Sequence, residues 1–415
     1  MQSGGLCGVE KKLKNYRKGR QMKHKVAYTI LITAIVVAWF IPAEAAEKEI
    51  RIGFMTDLTS MLSINGISMK QAAILAMEEV DYKVAGSPAK LIIEDEASDP
   101  AVAMDRARKL VEKDKVCVVV GTIHAGSGAA TAEYYGRTRT PNVAPTYSMP
   151  DEAQIRATWT WVPFGTNESI GYAGGAYASQ TLGYKTATTL AMDYVAGRTF
   201  TGGFGTAFTE RGGKIVQSQW IPMGTKDVAP YLTALKEADV LVPWFAGVTV
   251  TAGVRQIREF NVKMPIVFPQ CQFPAFPKQL EEIGDAGVGM IAPEMYTWTI
   301  DTPKNRSFVE AYRKRWGELP TSNSGSTYMT MQIVFEALKK TRGDTSANAL
   351  AKALDNTNME GFVGPIHFGD ARIGTPTYVI LKVVKVGNEY RTEVLTRYTI
   401  KTTKVGNKLT HSVVK

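Results

Sequence analysis

The chain has 415 residues, 45% apolar and 21% charged, with a formal net charge of +10. That length exceeds one ordinary core, so two lobes are expected, and the composition is that of a globular protein. Residues 1–45 hold eight Lys/Arg and two Glu, a charge of +6, and four lysines (Lys401, Lys404, Lys408, Lys415) carry the +4 that remains. The body is near neutral, which excludes nucleic acid as the implied partner.

Met22-Lys23-His24-Lys25 is a basic start, Val26 to Ile41 is apolar and uncharged, and Ala43-Glu44-Ala45 is a small-x-small site. This is the layout of a secretory signal peptide, with a run too short for a membrane span. Cleavage is expected after Ala45, and residues 1–21 read as an over-extended start. Cys7 precedes the apolar run and so is not a lipid-bearing cysteine. Cys117 and Cys271, so far apart, make no disulfide framework, and a bridge between them is not expected.

Glu49 to Met55 reads as a strand, Thr56 to Ser63 as a polar loop, and Asn65 to Val80 as a helix by its apolar spacing. A second strand, Ala89 to Ile93, ends in Glu94-Asp95-Glu96. Asp99-Pro100 caps a helix to Lys113, and Val116 to Val120 is a third strand. Gly121 to Gly128 then forms a glycine-rich bend with a helix expected from Ser127 or Gly128. A strand feeding a helix N-terminus leaves N–H groups converging on one point, suited to an anion. The bend lacks a P-loop lysine and the spacing of a dinucleotide loop.

Asn142 to Pro145 is a short strand, followed by the hydroxyl-bearing Thr146-Tyr147-Ser148, and Trp159 to Phe164 is an aromatic crossing. Alternation resumes with helices at Glu168–Thr181, Thr199–Arg211, Val228–Lys236 and Thr251–Phe260. The strands between and after them fall at Thr186–Ala191, Lys214–Trp220, Asp239–Trp244 and Pro265–Phe268. This is a second α/β lobe of the same build, with parallel sheets in both. Phe308–Trp316, Tyr328–Lys340 and Thr345–Leu354 are helices expected to return over the first lobe. Gly361 to Pro365 is a turn, and Thr377–Val386 and Tyr390–Ile400 form a hairpin through Gly387-Asn388.

Ile52-Gly53-Phe54 with the Thr59-Ser60 loop and Gly66, the bend 116–128 and Pro141 to Ser148 together resemble the branched-chain amino acid–binding family. Phe308-Val309-Glu310-Ala311-Tyr312 and Gly364-Pro365-Ile366-His367-Phe368 resemble late signatures of that family, the type I periplasmic substrate-binding proteins of ABC importers. The likeness spans about Glu47 to Ile400. It implies two Rossmann-like lobes that close on a ligand like a hinged trap: 46–165 plus 296–375 as the N-terminal lobe, 166–295 plus 376–415 as the C-terminal lobe. It implies a monomer in the periplasm, a membrane permease and ATPases as partners, no cofactor, no metal and no catalysis.

Carried over by that resemblance, Ala125, Gly126, Ser127, Thr146 and Ser148 grip a ligand carboxylate, and Tyr194 closes from the second lobe. Thr59, His124 and Gln270 join the expected site, with Trp244 and Phe245 as further candidates. Amino acid binders place a proline-glutamate on the ligand ammonium, whereas the matching stretch here is Pro269-Gln270-Cys271-Gln272. A buried ammonium without an anion is costly, so the resemblance favours an amine-free aromatic or hydrophobic acid over an amino acid. A secreted α/β enzyme and a sensory ligand-binding module stand as alternatives. The first lacks a readable nucleophile, metal site or cofactor loop, and the second lacks a later membrane segment.

Overall fold

In the computed structural model, the described residues are 49–415 apart from 147, 148, 248, 272 and 415. The expected signal peptide, Tyr147 and Ser148 lie outside them. Strand β1 (Ile50–Thr56) leads to helix α1 (Ser63–Glu78), a short β2 (Lys83–Val84) and β3 (Ser87–Asp95). Helix α2 (Pro100–Arg108) runs on through a wider turn to Lys113, then β4 (Val118–Gly121), α3 (Ala125–Thr138), β5 (Asn142–Val143), α4 (Asp151–Gln154) and β6 (Thr160–Trp161) follow. These strands form one sheet in the order β2-β3-β1-β4-β5-β6. All its neighbours are parallel except the β2–β3 hairpin.

The run Val118-Val119-Val120 is buried on both faces, as a central parallel strand requires. Asp99 accepts the N–H groups of Ala101 and Val102 at 2.7 and 3.1 Å and so starts α2 where the sequence expects it. Helix α3 begins at Ala125, two or three residues before the expected start, because the His124 side chain takes the cap. Trp159 to Phe164 is not wholly a crossing: Thr160 and Trp161 are a sixth strand beside Asn142 and Val143.

The second lobe starts with α5 (Asn167–Ala176, widening to Thr181), β7 (Thr186–Met192), α6 (Val195–Thr209), β8 (Lys214–Ile221) and α7 (Ala229–Thr233). Helix α7 is shorter than the apolar spacing of Val228–Lys236 predicts. Then come β9 (Val240–Trp244), α8 (Thr249–Glu259), α9 (Pro277–Ile283) and β10 (Ile291–Glu294). The parallel order β8-β7-β9 is extended by single bridges, Leu241 to Ile266 and Val267 to Ile291. So the expected strand at Pro265–Phe268 is reduced to two bridging residues, and β10 is an addition.

Helices α10 (Pro303–Trp316), α11 (Ser322–Lys340) and α12 (Ala347–Asp355) follow. The first two pack on the first-lobe helix α1: Tyr312 donates to Gln71 at 2.7 Å, Arg315 grips Glu78, and the Ser68 and Thr321 hydroxyls meet at 2.9 Å. A hairpin of β11 (Asn358–Glu360) and β12 (Pro365–His367) precedes β13 (Thr377–Val386), β14 (Glu389–Val405) and β15 (Lys408–Val413). The last three join β10 in an antiparallel sheet. Gly387, at φ +60°, supports the expected turn, but β14 outruns Ile400 and turns again at Gly406 (φ +59°). The chain therefore passes between the two sheet systems after β6, after β10 and again before β13.

Candidate functional site

Strand β4 must stop at Gly121, where φ is +151° and an added Cβ would lie 2.3 Å from the Met55 carbonyl oxygen. Beyond it, the fully buried Glu96 draws the loop inward, Oε1 accepting the N–H groups of Ile123 at 2.8 Å and His124 at 3.1 Å. Burial pushes the Glu96 carboxyl up to about 7 despite those two donors. His124 then turns its Nδ1 onto the Ser127 N–H at 3.2 Å, with the Ser127 hydroxyl at 3.1 Å. Accepting an N–H requires the neutral ring, and burial lowers the pKa of His124 accordingly. This contact is a helix cap. A nitrogen spent on a backbone donor is poorly placed to take the serine proton, so the pair does not read as a nucleophile and its base.

Of the helix N–H groups expected to converge on an anion, that of Ser127 is therefore used inside the protein, and the Ser127 side chain is fully buried. Burial raises the pKa of the Tyr194 phenol, which comes from the other lobe, and the nearby Ala125 N–H offsets part of that rise. Tyr194 stacks on His124, centroids 5.5 Å apart and planes 9° from parallel. Its other neighbour is Trp244, at 6.1 Å, which lies 5.5 Å from Phe200. Residues from the ends of β4, β7 and β9 thus form one aromatic row across the lobes, at the carboxyl ends of parallel strands where ligands of such folds bind.

The row ends in a polar relay. The Trp244 indole N–H donates to Gln270 Oε1 at 3.1 Å, and Gln270 Nε2 donates to Glu294 Oε1 at 2.7 Å. Glu294 Oε2 accepts the Met295 N–H at 3.2 Å and the hydroxyl of Ser322, the first residue of α11. Gln270 and Glu294 are both buried. The stretch Pro269-Gln270 carries no acid at this place in the sequence. Pro293-Glu294 carries the same dipeptide pattern at the end of the next strand, and that was the available signal.

The other described residues of the expected site take no part in this row or relay. Thr146 is buried, while Ser148 is outside the described residues. Thr59 is exposed and donates its hydroxyl to Asp95 at 2.6 Å. The loop around it is organised by Asp57, which accepts the Ser60 N–H at 2.7 Å and the Leu62 N–H at 2.9 Å. Phe245 is not in the aromatic row. Its ring packs over Gly253, where an added Cβ would lie 2.7 Å away, in the second-lobe core with Val250 and Val254. Gly126 is partly exposed beside the His124 ring. Among the described residues, no group of three His, Cys, Asp or Glu side chains could hold a metal ion. Cys117 and Cys271 are not bridged.

Two α/β lobes, three passages and a row of contacts from one lobe to the other describe a trap for a small molecule. Residues 49–387 match the periplasmic binding protein family. The chain belongs to that family. The family places the protein among the substrate-binding components of ABC transporters, and its members are binding proteins of the periplasm. No helix among the described residues is long and apolar enough to cross a membrane.

The protein is similar to an ABC transporter substrate-binding protein from Sphaerobacter thermophilus, at 27% identity and TM-score 0.79, over 85% of this chain and 98% of that one. It shares its fold with a solute-binding protein of Rhodopseudomonas palustris BisB5 solved with 3,4-dihydroxybenzoic acid. That match has 24% identity and TM-score 0.77, over 85% of this chain and 97% of the other. In sequence it is 23% identical to Leu/Ile/Val-binding protein homolog 6 of Brucella melitensis over 88% of this chain and 96% of that relative.

Proposed function

We propose that this periplasmic binding protein closes its lobes, 46–165 plus 296–375 and 166–295 plus 376–415, over a small aromatic carboxylate. It then delivers that ligand, as a monomer without cofactor, to a permease and its ATPases in the inner membrane. The observation that carries the reading is the His124–Tyr194–Trp244 row, which crosses the lobes beside the Ala125 N–H at the start of α3. In the loaded trap a ligand carboxylate oxygen accepts the Ala125 N–H, and the Tyr194 O–H donates to it. Thr146, Ser148 and the Gly126 N–H supply further donors, and the aromatic faces hold the ring of the acid.

Amine discrimination follows from the relay. A ligand ammonium would seek Glu294, but both oxygens of that carboxylate already accept hydrogen bonds, one from Gln270. Reaching it means displacing the Gln270 amide and leaving the Trp244 N–H without its acceptor. The likeness to a 3,4-dihydroxybenzoic acid–binding protein supports the aromatic reading. The Leu/Ile/Val-binding relative supports a second one, in which Gln270 swings aside and Glu294 takes an amino group.

Titration calorimetry and thermal unfolding with benzoate, 4-hydroxybenzoate, 3,4-dihydroxybenzoate, leucine and isoleucine separate the two. A benzoate at 100 times its dissociation constant is expected to stabilise the protein by about 2.7 kcal/mol. Tight leucine binding with no response to any benzoate overturns the aromatic reading.

A further inference from the structure

The family match ends at residue 387, yet the chain continues into β14 and β15. This terminal hairpin belongs to the second sheet system through β13, but its side chains reach the first lobe. Leu409 packs on a first-lobe cluster that includes Ala132, Ala144 and Met149, and the Lys404 N–H donates to Asp370 at 3.3 Å. His411 Nε2 lies 2.7 Å from Oδ2 of Asp151, the first residue of α4, and its Nδ1 meets the Thr402 hydroxyl at 3.0 Å. The His411 side chain is only 6% exposed and that of Asp151 18%.

Beside this pair sits a second carboxyl. Glu168, at the start of α5 just past the first passage between the sheets, accepts the Asp151 backbone N–H at 3.0 Å. Asp151 Oδ1 is buried and has no hydrogen-bond partner, so its carboxyl is held in this cluster only through Oδ2. Two carboxyls and an imidazole from three separate segments therefore meet beside the first passage.

We infer that the terminal hairpin is a latch across the hinge, clasped by His411 on Asp151 and sensitive to the charge of Glu168 beside that clasp. Burial, followed by the Asp151 charge, lifts the Glu168 carboxyl to about 8. Below that pH Glu168 is neutral and the clasp has one fewer charged carboxyl beside it. Above it, two neighbouring anions repel and the first lobe is released from the hairpin.

Other groups around the cluster keep their own partners. Tyr172, with its ring centroid 5.9 Å from that of His411, is bonded to Glu210 at 2.8 Å and Arg211 at 3.2 Å. Glu152, which adds to the repulsion on Glu168, pairs with Arg156 at 3.3 Å. Tyr378, on β13, bonds Ser169 at 2.7 Å, and burial raises its pKa.

The test needs no ligand. The radius of gyration of the mature, ligand-free protein is measured by small-angle X-ray scattering at pH 6, 7, 8 and 9. The wild type is expected to expand between pH 7 and 9. Glu168→Gln, which mimics the neutral acid, is expected to stay compact throughout. His411→Gln and a chain ending at Val405 are expected to be expanded at every pH, with circular dichroism confirming that each is folded. A wild-type radius constant over this range, or His411→Gln and Glu168→Gln tracking the wild type, overturns the latch.

Discussion

Replacing Gln270 by Glu tests the relay that sets amine discrimination. A protonated glutamic acid has nearly the shape of glutamine. Its carbonyl oxygen can accept the Trp244 N–H and its O–H can donate to Glu294, where the amide now donates at 2.7 Å. Ionised, it would set two buried carboxylates against each other, so the folded variant must hold its proton while the unfolded chain releases it above about pH 4.3.

The sign follows from linkage. A carboxyl whose pKa is raised on folding loses stability as pH climbs from the unfolded value toward the folded one, at about 1.4 kcal/mol per unit. Relative to wild type, Gln270→Glu is expected to cost about 1 kcal/mol at pH 5 and about 4 kcal/mol at pH 7. At roughly 2–4 °C per kcal/mol, the difference in melting temperature grows from about 3 °C to about 8–15 °C. Scanning calorimetry of both proteins at pH 5, 6 and 7 measures it. A difference independent of pH would show that position 270 is solvated and does not press on Glu294, and the case against an amine ligand would fall with it.

Tyr194→Phe removes, in the loaded trap, a donor to the carboxylate, so benzoate affinity by calorimetry should fall about 10- to 100-fold. Trp244→Ala opens a cavity beside Phe200 and Gly197 and leaves Gln270 without its indole donor, and melting should report a loss of about 3–5 kcal/mol. Glu96→Gln keeps an oxygen for the Ile123 and His124 N–H groups but removes a carboxyl raised from 4.5 to about 7. The wild type loses that share of stability as pH rises from 4.5 through 7, so the variant should hold about 3 kcal/mol more of its pH 5 stability at pH 8 in urea titrations. Gly325→Ala would place a Cβ 2.4 Å from the Tyr296 ring and should lower stability by about 1–3 kcal/mol, or more if the ring cannot move.

Much of the lobe plan could be read along the chain. Val118-Val119-Val120, the Asp99-Pro100 cap and the Gly387 turn are local signals, and local physics decides them. The long helix α11 and the alternation of β7, α6 and β8 are likewise written in apolar spacing. Less legible were β10 and the single-bridge pairing at Ile266 and Val267, because so few residues carry no period. The extension of β14 past Ile400 is not legible along the chain either, since Lys401, Thr402, Thr403 and Lys404 have the composition of a solvated tail until β15 pairs with them.

At the site, the sequence by itself determined the residue types: a glycine that ends β4, a histidine and tyrosine after strands, and a glutamine where an acid was sought. It could not determine who meets whom. His124 and Tyr194 are seventy residues apart by number and stack because two lobes meet. Glu294 reaches Gln270 because neighbouring strands end side by side, a relation that hydrogen bonding across the sheet creates and no spacing announces. The same holds for the helix N-terminus. Its N–H groups follow from the chain alone, but only the folded structure spends the one at Ser127 on His124 and brings the Tyr194 ring across the lobes onto that cap. Backbone donors are a local property, whereas their occupancy is decided by whatever the tertiary fold brings within about 3 Å.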